Sequence, residues 1–297
     1  MSDQTYLEAV LRDQAVSDDS PEMKALRKHR SDVETRLTAK FGSIPTIRYG
    51  GSKAKGTMNL ESYDLDLTCY FPRDDASAGT TLQDIFESVE NVLRETYWTE
   101  RKGSAIRLRS RDDFRTDFHI DVVPGRFVDG NEGDVNLYRT SGEKAYLKTN
   151  LQTHINHVKD SGVVPTIRLI KLWARRNNVS IKTFALELLT IKHLAGRQSQ
   201  LLADQLARIL EDFRDHYQSL CIEDPANPQG NDLSELVNET VRATLSSTAR
   251  VTLERVKSDG WHAVFGATSE DDTAKKLSAL RRMAAATPVK PKPYGVK

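Results

Sequence analysis

The sequence predicts an α+β chain of two lobes, a mixed sheet flanked by helices followed by an all-helical half. Short β-type runs crowd the first half, at Thr46–Tyr49, Leu65–Phe71, Ala105–Arg109 and Thr116–Val123, with a helical stretch, Leu82–Tyr97, between the second and third. From about Leu147 onward the strand patterns stop. Amphipathic or wholly apolar helical patterns take over at Pro165–Arg176, Thr183–Ala195, Leu201–Tyr217, Leu233–Leu253 and Ala274–Ala285. A chain of 297 residues, 38% hydrophobic and 29% charged, can bury the core that two such lobes need.

Before the first strand, Ser20 can cap free amides and Pro21 tolerates a first helical turn. Met23, Leu26, Val33 and Leu37 then recur at helical spacing until Gly42. This long N-terminal helix is expected to brace both lobes. The expected boundaries are residues 1–146 for the sheet lobe with its N-terminal helix, 147–286 for the helical lobe, and 287–297 for a tail. That tail, "TPVKPKPYGVK", has three prolines and three lysines in eleven residues, too little apolar surface to fold; it reads as a flexible segment or a docking peptide for a regulatory protein. No internal repeat is evident.

Composition removes several classes of function. No apolar run approaches the length of about twenty residues that spans a bilayer, and Met1–Val10 lacks the charged head and apolar centre of a signal peptide; a cytoplasmic protein with no membrane partner is expected. Cys69 and Cys221 are too few for a disulfide framework or a cysteine zinc site and read as reduced thiols. Lysine plus arginine (43) against aspartate plus glutamate (42) leaves a net charge of +1, so any polyanion contact must be local.

The chemistry concentrates in "RYGGSKAKGTMNLESYDLDLTCYF", residues 48–71. Alternation along a strand puts Asp64 and Asp66 on one face and sends Leu65 and Leu67 to a core. Paired carboxylates repel unless a cation lies between them, and their hard oxygens suit Mg²⁺ or Mn²⁺, although a D-x-D can also merely cap a turn. In "TDFHIDVVPG", Phe118, Ile120 and Val122 alternate with Asp117, His119 and Asp121, which projects a third carboxylate from a half-buried strand. Three converging aspartates can hold two metals for phosphoryl displacement, with Asp121 the candidate base for the attacking hydroxyl.

Gly50 and Gly51 let backbone approach an anion, Ser52 can open a helix whose amides face a phosphate, and Lys53 and Lys55 add positive charge. Gly51 and Gly56 have P-loop separation, but Thr57 stands where that motif requires lysine, and no G-x-G-x-x-G is present.

"GGSKAKGT…DLDL…HIDVVPG" resembles the active-site pattern of the polymerase-β-type nucleotidyltransferases. With "IRLIKLW", "TFALELLTIKHL", "DPANPQGN" and "GWHAVFG", it is similar to the branch holding oligoadenylate synthetases, cyclic GMP-AMP synthase and the bacterial CD-NTases, the last segment being closest to bacterial members. The resemblance runs from about Arg48 to Gly266. It implies Gly51 and Ser52 at a donor triphosphate, Asp64 and Asp66 as ligands of two Mg²⁺ (or Mn²⁺) ions, and Asp121 as third ligand beside the acceptor hydroxyl. It also implies Lys171 on the donor phosphates, Thr183 near the nucleotide, and the Phe184 ring, where tyrosine is commonest, stacked on the base. Spacing alone reads Lys171, with Arg168 and Arg175, equally well as a solvated basic face, and Phe184 equally well as core.

The resemblance implies a nucleotidyltransferase that makes a cyclic di- or trinucleotide second messenger from ATP and other nucleoside triphosphates in bacterial antiphage signalling. Its alternatives are an RNA-activated linear oligoadenylate synthetase, a transferase acting on tRNA or protein, and an inactive scaffold; the last is disfavoured because all three carboxylates are present. The His and Cys zinc insertion of the animal DNA sensor cannot be built from two distant cysteines. His154 and His157, three apart with no third ligand, read as surface or capping residues. Arg107, Arg109 and Arg111 form one basic strand face, solvated or turned to an acceptor nucleotide, and Trp261 reads as packing.

Overall fold

The computed structural model describes residues 2–111, 119–130, 132–141 and 144–271. The expected helix Ala274–Ala285, the tail and the first part of the Thr116–Val123 strand therefore lie outside the described residues.

Helix α1 (Asp3–Asp13), which the sequence patterns had not marked, is capped by Ser2. Helix α2 (Pro21–Phe41) begins and ends where Ser20, Pro21 and Gly42 predict, with the Ser20 hydroxyl accepting from the Met23 amide at 3.1 Å. The two N-terminal helices divide the bracing between them. Tyr6, Leu7 and Val10 of α1 enter the core of the helical half, whereas Met23, Leu26, Val33, Leu37 and Phe41 of α2 enter the core under the sheet.

The sheet elements are β1 (Thr46–Tyr49), the short helix α3 (Gly51–Lys55), β2 (Leu65–Phe71), helix α4 (Leu82–Arg94), β3 (Tyr97–Lys102), β4 (Ala105–Ser110), β5 (Ile120–Phe127), β6 (Val135–Tyr138) and β7 (Tyr146–Thr149). Among the described residues they form one mixed seven-stranded sheet in the order β1-β2-β5-β4-β3, with β6 pairing the far end of β5, and β7 pairing β6. Only β2 and β5 run parallel among these pairs. Their inward residues Leu65, Leu67, Ile120 and Val122, with Ile106 and Leu108 of β4, are at most 3% exposed. Burying each is worth roughly 1.5–3 kcal/mol, and a one-residue slip would send aspartates into that core, so the register is strongly specified.

Several boundaries differ from the sequence patterns. Helix α4 stops at Arg94, three residues before Tyr97, because Tyr97 opens β3, buried at 3% with its hydroxyl donating to Asp32. Strand β5 continues past Val123 through Pro124. Pairing with β4 ends at Val122 and pairing with β6 begins at Arg126, so Pro124 sits in the gap between these two neighbours. Residues 233–238 hold a 3₁₀ turn (Ser234–Val237), and Asn238 then caps the long helix that follows.

That helix belongs to the second half: α5 (Leu151–Lys159), α6 (Val164–Arg176), α7 (Thr183–His193), α8 (Leu202–Asp215), α9 (Glu239–Asp259) and the single turn α10 (His262–Phe265). Trp173, Leu186, Leu189, Leu206, Ile209, Leu210 and Phe213 centre its core. No helix among the described residues is long and apolar enough to cross a membrane.

Candidate active site

The site forms where β1 turns into α3 against the start of β2. Strand β1 lies antiparallel to β2, and the Gly50 amide donates to the Asp66 carbonyl at 2.8 Å. Gly51 adopts φ +50°, and a Cβ there would stand 1.6 Å from Asp66 Oδ2. Glycine is required at this position, both for that conformation and for the space the carboxylate fills. The Ser52 carbonyl accepts from the Thr57 amide at 3.0 Å, closing the loop behind α3.

Register assembles the acidic row. Asp66 on β2 is paired with Asp121 on β5, which in turn is paired with Arg107 on β4. Lateral neighbours project to the same face, so two carboxylates and a guanidinium stand side by side, with Asp64 two residues back on that face. Both Asp121 oxygens accept from Arg107, at 2.9 Å from Nε and 2.8 Å from the terminal nitrogen. His119 Nδ1 is 3.4 Å from Asp64 Oδ1.

Burial, with repulsion from Asp121 and Asp64, pushes the Asp66 carboxyl up to about 6, although Lys55 and Lys171 pull the other way. Asp64 is raised as well, chiefly by burial and then by Asp121, with His119 opposing. The bond to Asp121 raises the Arg107 guanidinium.

Among the described residues no group of three His, Cys, Asp or Glu side chains stands ready as a metal cluster in these rotamers. The donor set nevertheless suits a divalent cation. It offers hard carboxylate oxygens, Asp66 gains from any positive charge placed beside it, and each Asp121 oxygen retains a lone pair beyond its bond to Arg107.

Lys171 lies on no solvated face. It is 7% exposed, and its ammonium donates to the Thr57 carbonyl at 2.8 Å and the Thr57 hydroxyl at 3.1 Å. Burial holds that ammonium below the ordinary lysine value. Its neighbours Leu169, Ile170, Leu172 and Trp173 are also buried, so α6 is enclosed nearly all round.

Phe184 is part-buried at the start of α7, beside exposed Thr183. Its ring stacks on His154 with centroids 4.9 Å apart and planes at 25°, while Lys55 Nζ lies 5.1 Å from its centroid. His154, set aside in the sequence, thereby backs the Phe184 ring. Its Nε2 bonds Asp224 Oδ1 at 2.8 Å. Burial alone would push the Asp224 carboxyl up, but bonds from His154, Asn231 and the Ala226 amide hold it below the usual range. The "DPANPQGN" segment thus anchors the histidine behind Phe184.

The structure therefore brings Gly51, Asp64, Asp66 and Asp121 into one row and links Lys171 to the loop beneath them. Phe184 approaches that group through Lys55, and Thr183 is exposed at the start of α7. Sequence reasoning missed Glu187, which bonds Lys55 and Thr57. A lone glutamate inside the apolar run "FALELLTI" was the available signal.

No protein-family model matches the sequence, and no curated protein matches it. Solved structures do resemble it. The CdnC of E. coli MS115-1 with ATP aligns at a TM-score of 0.66 and 18% identity over 90% of this chain and 98% of that one. The CD-NTase CdnG of Bradyrhizobium diazoefficiens with GTP aligns at 0.65 and 15%, over 95% and 99%. The CdnE cyclic dinucleotide synthase of Elizabethkingia meningoseptica, with GTP and Apcpp, aligns at 0.64 and 12%, over 86% and 99%. At these identities the likeness is one of fold, and it covers nearly the whole length of each structure.

Proposed function

Taking the shared CD-NTase fold as premise, we propose that this chain is a nucleotidyltransferase that condenses nucleoside triphosphates into a cyclic di- or trinucleotide. The observation that carries the reading is the parallel register that sets Asp66 beside Asp121, directly against the Gly50–Gly51 turn. The sequence resemblance assigned that turn to a triphosphate and those acids to its activation, and the solved neighbours with ATP or GTP are consistent with nucleotide substrates.

In this reading Gly51 and Ser52 bind the donor triphosphate, Lys171 contributes charge to its phosphates, and Thr183 and Phe184 orient the nucleoside, the ring stacking on its base. Asp64, Asp66 and Asp121 would hold two Mg²⁺ or Mn²⁺ ions, which supply charge neutralisation and polarisation at the reacting phosphate. A ribose hydroxyl attacks the α-phosphorus; a new P–O bond forms, the bond to the departing pyrophosphate breaks, and the hydroxyl proton passes to Asp121. A second attack within the linear intermediate closes the ring. The product would serve as a second messenger, with antiphage defence the proposed setting.

The test is incubation with all four nucleoside triphosphates and Mg²⁺ or Mn²⁺, with and without RNA, followed by phosphatase. Phosphatase-resistant small oligonucleotides are expected. Label recovered only on added tRNA or on the protein would overturn the reading.

A further inference from the structure

Where the sheet half meets the helical half, Lys171 belongs to a group of buried charges that includes one carboxylate with no role in this chemistry, Glu187. Glu187 of α7 is 1% exposed and both its oxygens are engaged: Lys55 Nζ donates at 2.7 Å and the Thr57 hydroxyl at 2.9 Å. Lys171 Nζ lies 3.7 Å from the same carboxylate. Lys55 ends α3, Thr57 follows it, Lys171 comes from α6 and Glu187 from α7, so one carboxylate ties the glycine-rich loop to two helices of the other half.

Both ammoniums are thus shared between two acids, Glu187 on one side and the Asp66 carboxylate on the other, in a place where unmatched charge is costly. The position is telling: both lysines act on the Asp66 carboxylate, over which Gly51 is folded. The two ammoniums therefore border the loop whose first turn is read as the triphosphate grip.

We propose that Glu187 is the internal counter-ion of that grip: it holds Lys55 and Lys171 in place before substrate arrives and competes with the triphosphate for their charge. The proposal rests on the reading of Gly51 and Ser52 as triphosphate-binding. A counter-ion has two opposed effects. It weakens attraction for a polyanion, and it fixes the geometry in which the polyanion is finally held. Glu187 is thus a positioning residue, acting through the lysines.

The experiment is calorimetric titration of ATP and of inorganic tripolyphosphate in EDTA, on the wild type, Glu187→Gln, Lys55→Gln and the double variant, together with kcat and KM in Mg²⁺. Glu187→Gln is expected to bind both ligands about tenfold more tightly than the wild type while kcat falls, because one opposing charge has left a low-dielectric site. Lys55→Gln is expected to bind most weakly, with the double variant between. Loss of a purely structural contact would weaken binding, so unchanged or weaker binding by a folded Glu187→Gln overturns the proposal. Should that variant not fold, the comparison of Lys55→Gln with the double variant decides: tighter binding by the double variant supports the counter-ion, and equal or weaker binding overturns it. Wild-type protein that binds neither ligand in EDTA and turns over no nucleotide in Mg²⁺ would overturn the triphosphate reading and this proposal together; wild-type turnover without the expected order of binding overturns this proposal alone.

Discussion

Gly51 and Asp66 occupy one space: a Cβ on the glycine would stand 1.6 Å from the aspartate Oδ2, at a backbone φ of +50°. The glycine-rich turn and the acidic strand are therefore one device. Gly51→Ala must both strain the backbone, by about 1–2 kcal/mol, and displace the Asp66 carboxylate. A displacement of about 1 Å in a catalytic group can cost roughly 10²-fold, so activity is expected to fall at least that far while the melting temperature drops modestly. Turnover and a thermal melt on the same preparation check this; an active Gly51→Ala enzyme would separate the turn from the site.

Arg107 already supplies positive charge to Asp121. In Arg107→Gln that carboxylate loses its bidentate partner next to Asp66, so the metal-free protein should be less stable by about 1–3 kcal/mol. A divalent ion would replace the missing charge, so the rise in melting temperature on adding Mn²⁺ should be larger in the variant than in the wild type. A rise that is equal or smaller would mean that the ion does not bind beside Asp121.

The Asp66 carboxyl titrates near 6 in the fold against an ordinary value of 3.8, raised by burial and then by the other two aspartates. The folded state therefore holds a proton that the unfolded chain has released between those values. Its stabilising contribution is complete below about pH 4 and is lost as the pH rises through about 6. Divalent ions bind the ionised form, so stabilisation by Mn²⁺ should be small at pH 5 and grow above pH 6. Melts at both pH values, with and without Mn²⁺, and again in Asp66→Asn, should show this pH dependence weakened in the variant.

Phe184 offers a ring face, and His154, fixed by Asp224, holds that ring. Phe184→Tyr should keep KM within about twofold, whereas Phe184→Leu should raise KM for nucleotide by about tenfold, the loss of one base stack worth roughly 1–3 kcal/mol. His154→Ala should raise KM in the same direction through the loosened ring. Equal KM values across the three variants would place the base elsewhere.

Much of this site was legible because strand alternation and glycine chemistry are local. Asp64, Asp66 and the Gly50–Gly51 turn could be read from one segment, and Ser20, Pro21 and Gly42 marked both ends of α2. Neighbour relations were not legible. Helical spacing put Lys171 on a basic face with Arg168 and Arg175, yet α6 is enclosed and Lys171 faces the glycine-rich loop from another part of the chain. Arg107 and Asp121 are partners only because β4 and β5 pair in that register. His154 acquired its role from Asp224 and Phe184, residues far along the sequence that only packing brings to it. The hairpin of β6 and β7 was not marked by the strand patterns at all.

The central claim is that the Asp66–Asp121 pair drives condensation of nucleoside triphosphates into a closed ring. The ratio of pyrophosphate released to nucleotide incorporated tests it most directly, since ring closure expels one further pyrophosphate from the 5′ end. Wild-type protein should release one pyrophosphate for every nucleotide incorporated, and Asp121→Asn should release essentially none. A ratio persistently below one, with a 5′-triphosphate left on the product, or full activity in Asp121→Asn, would contradict the account.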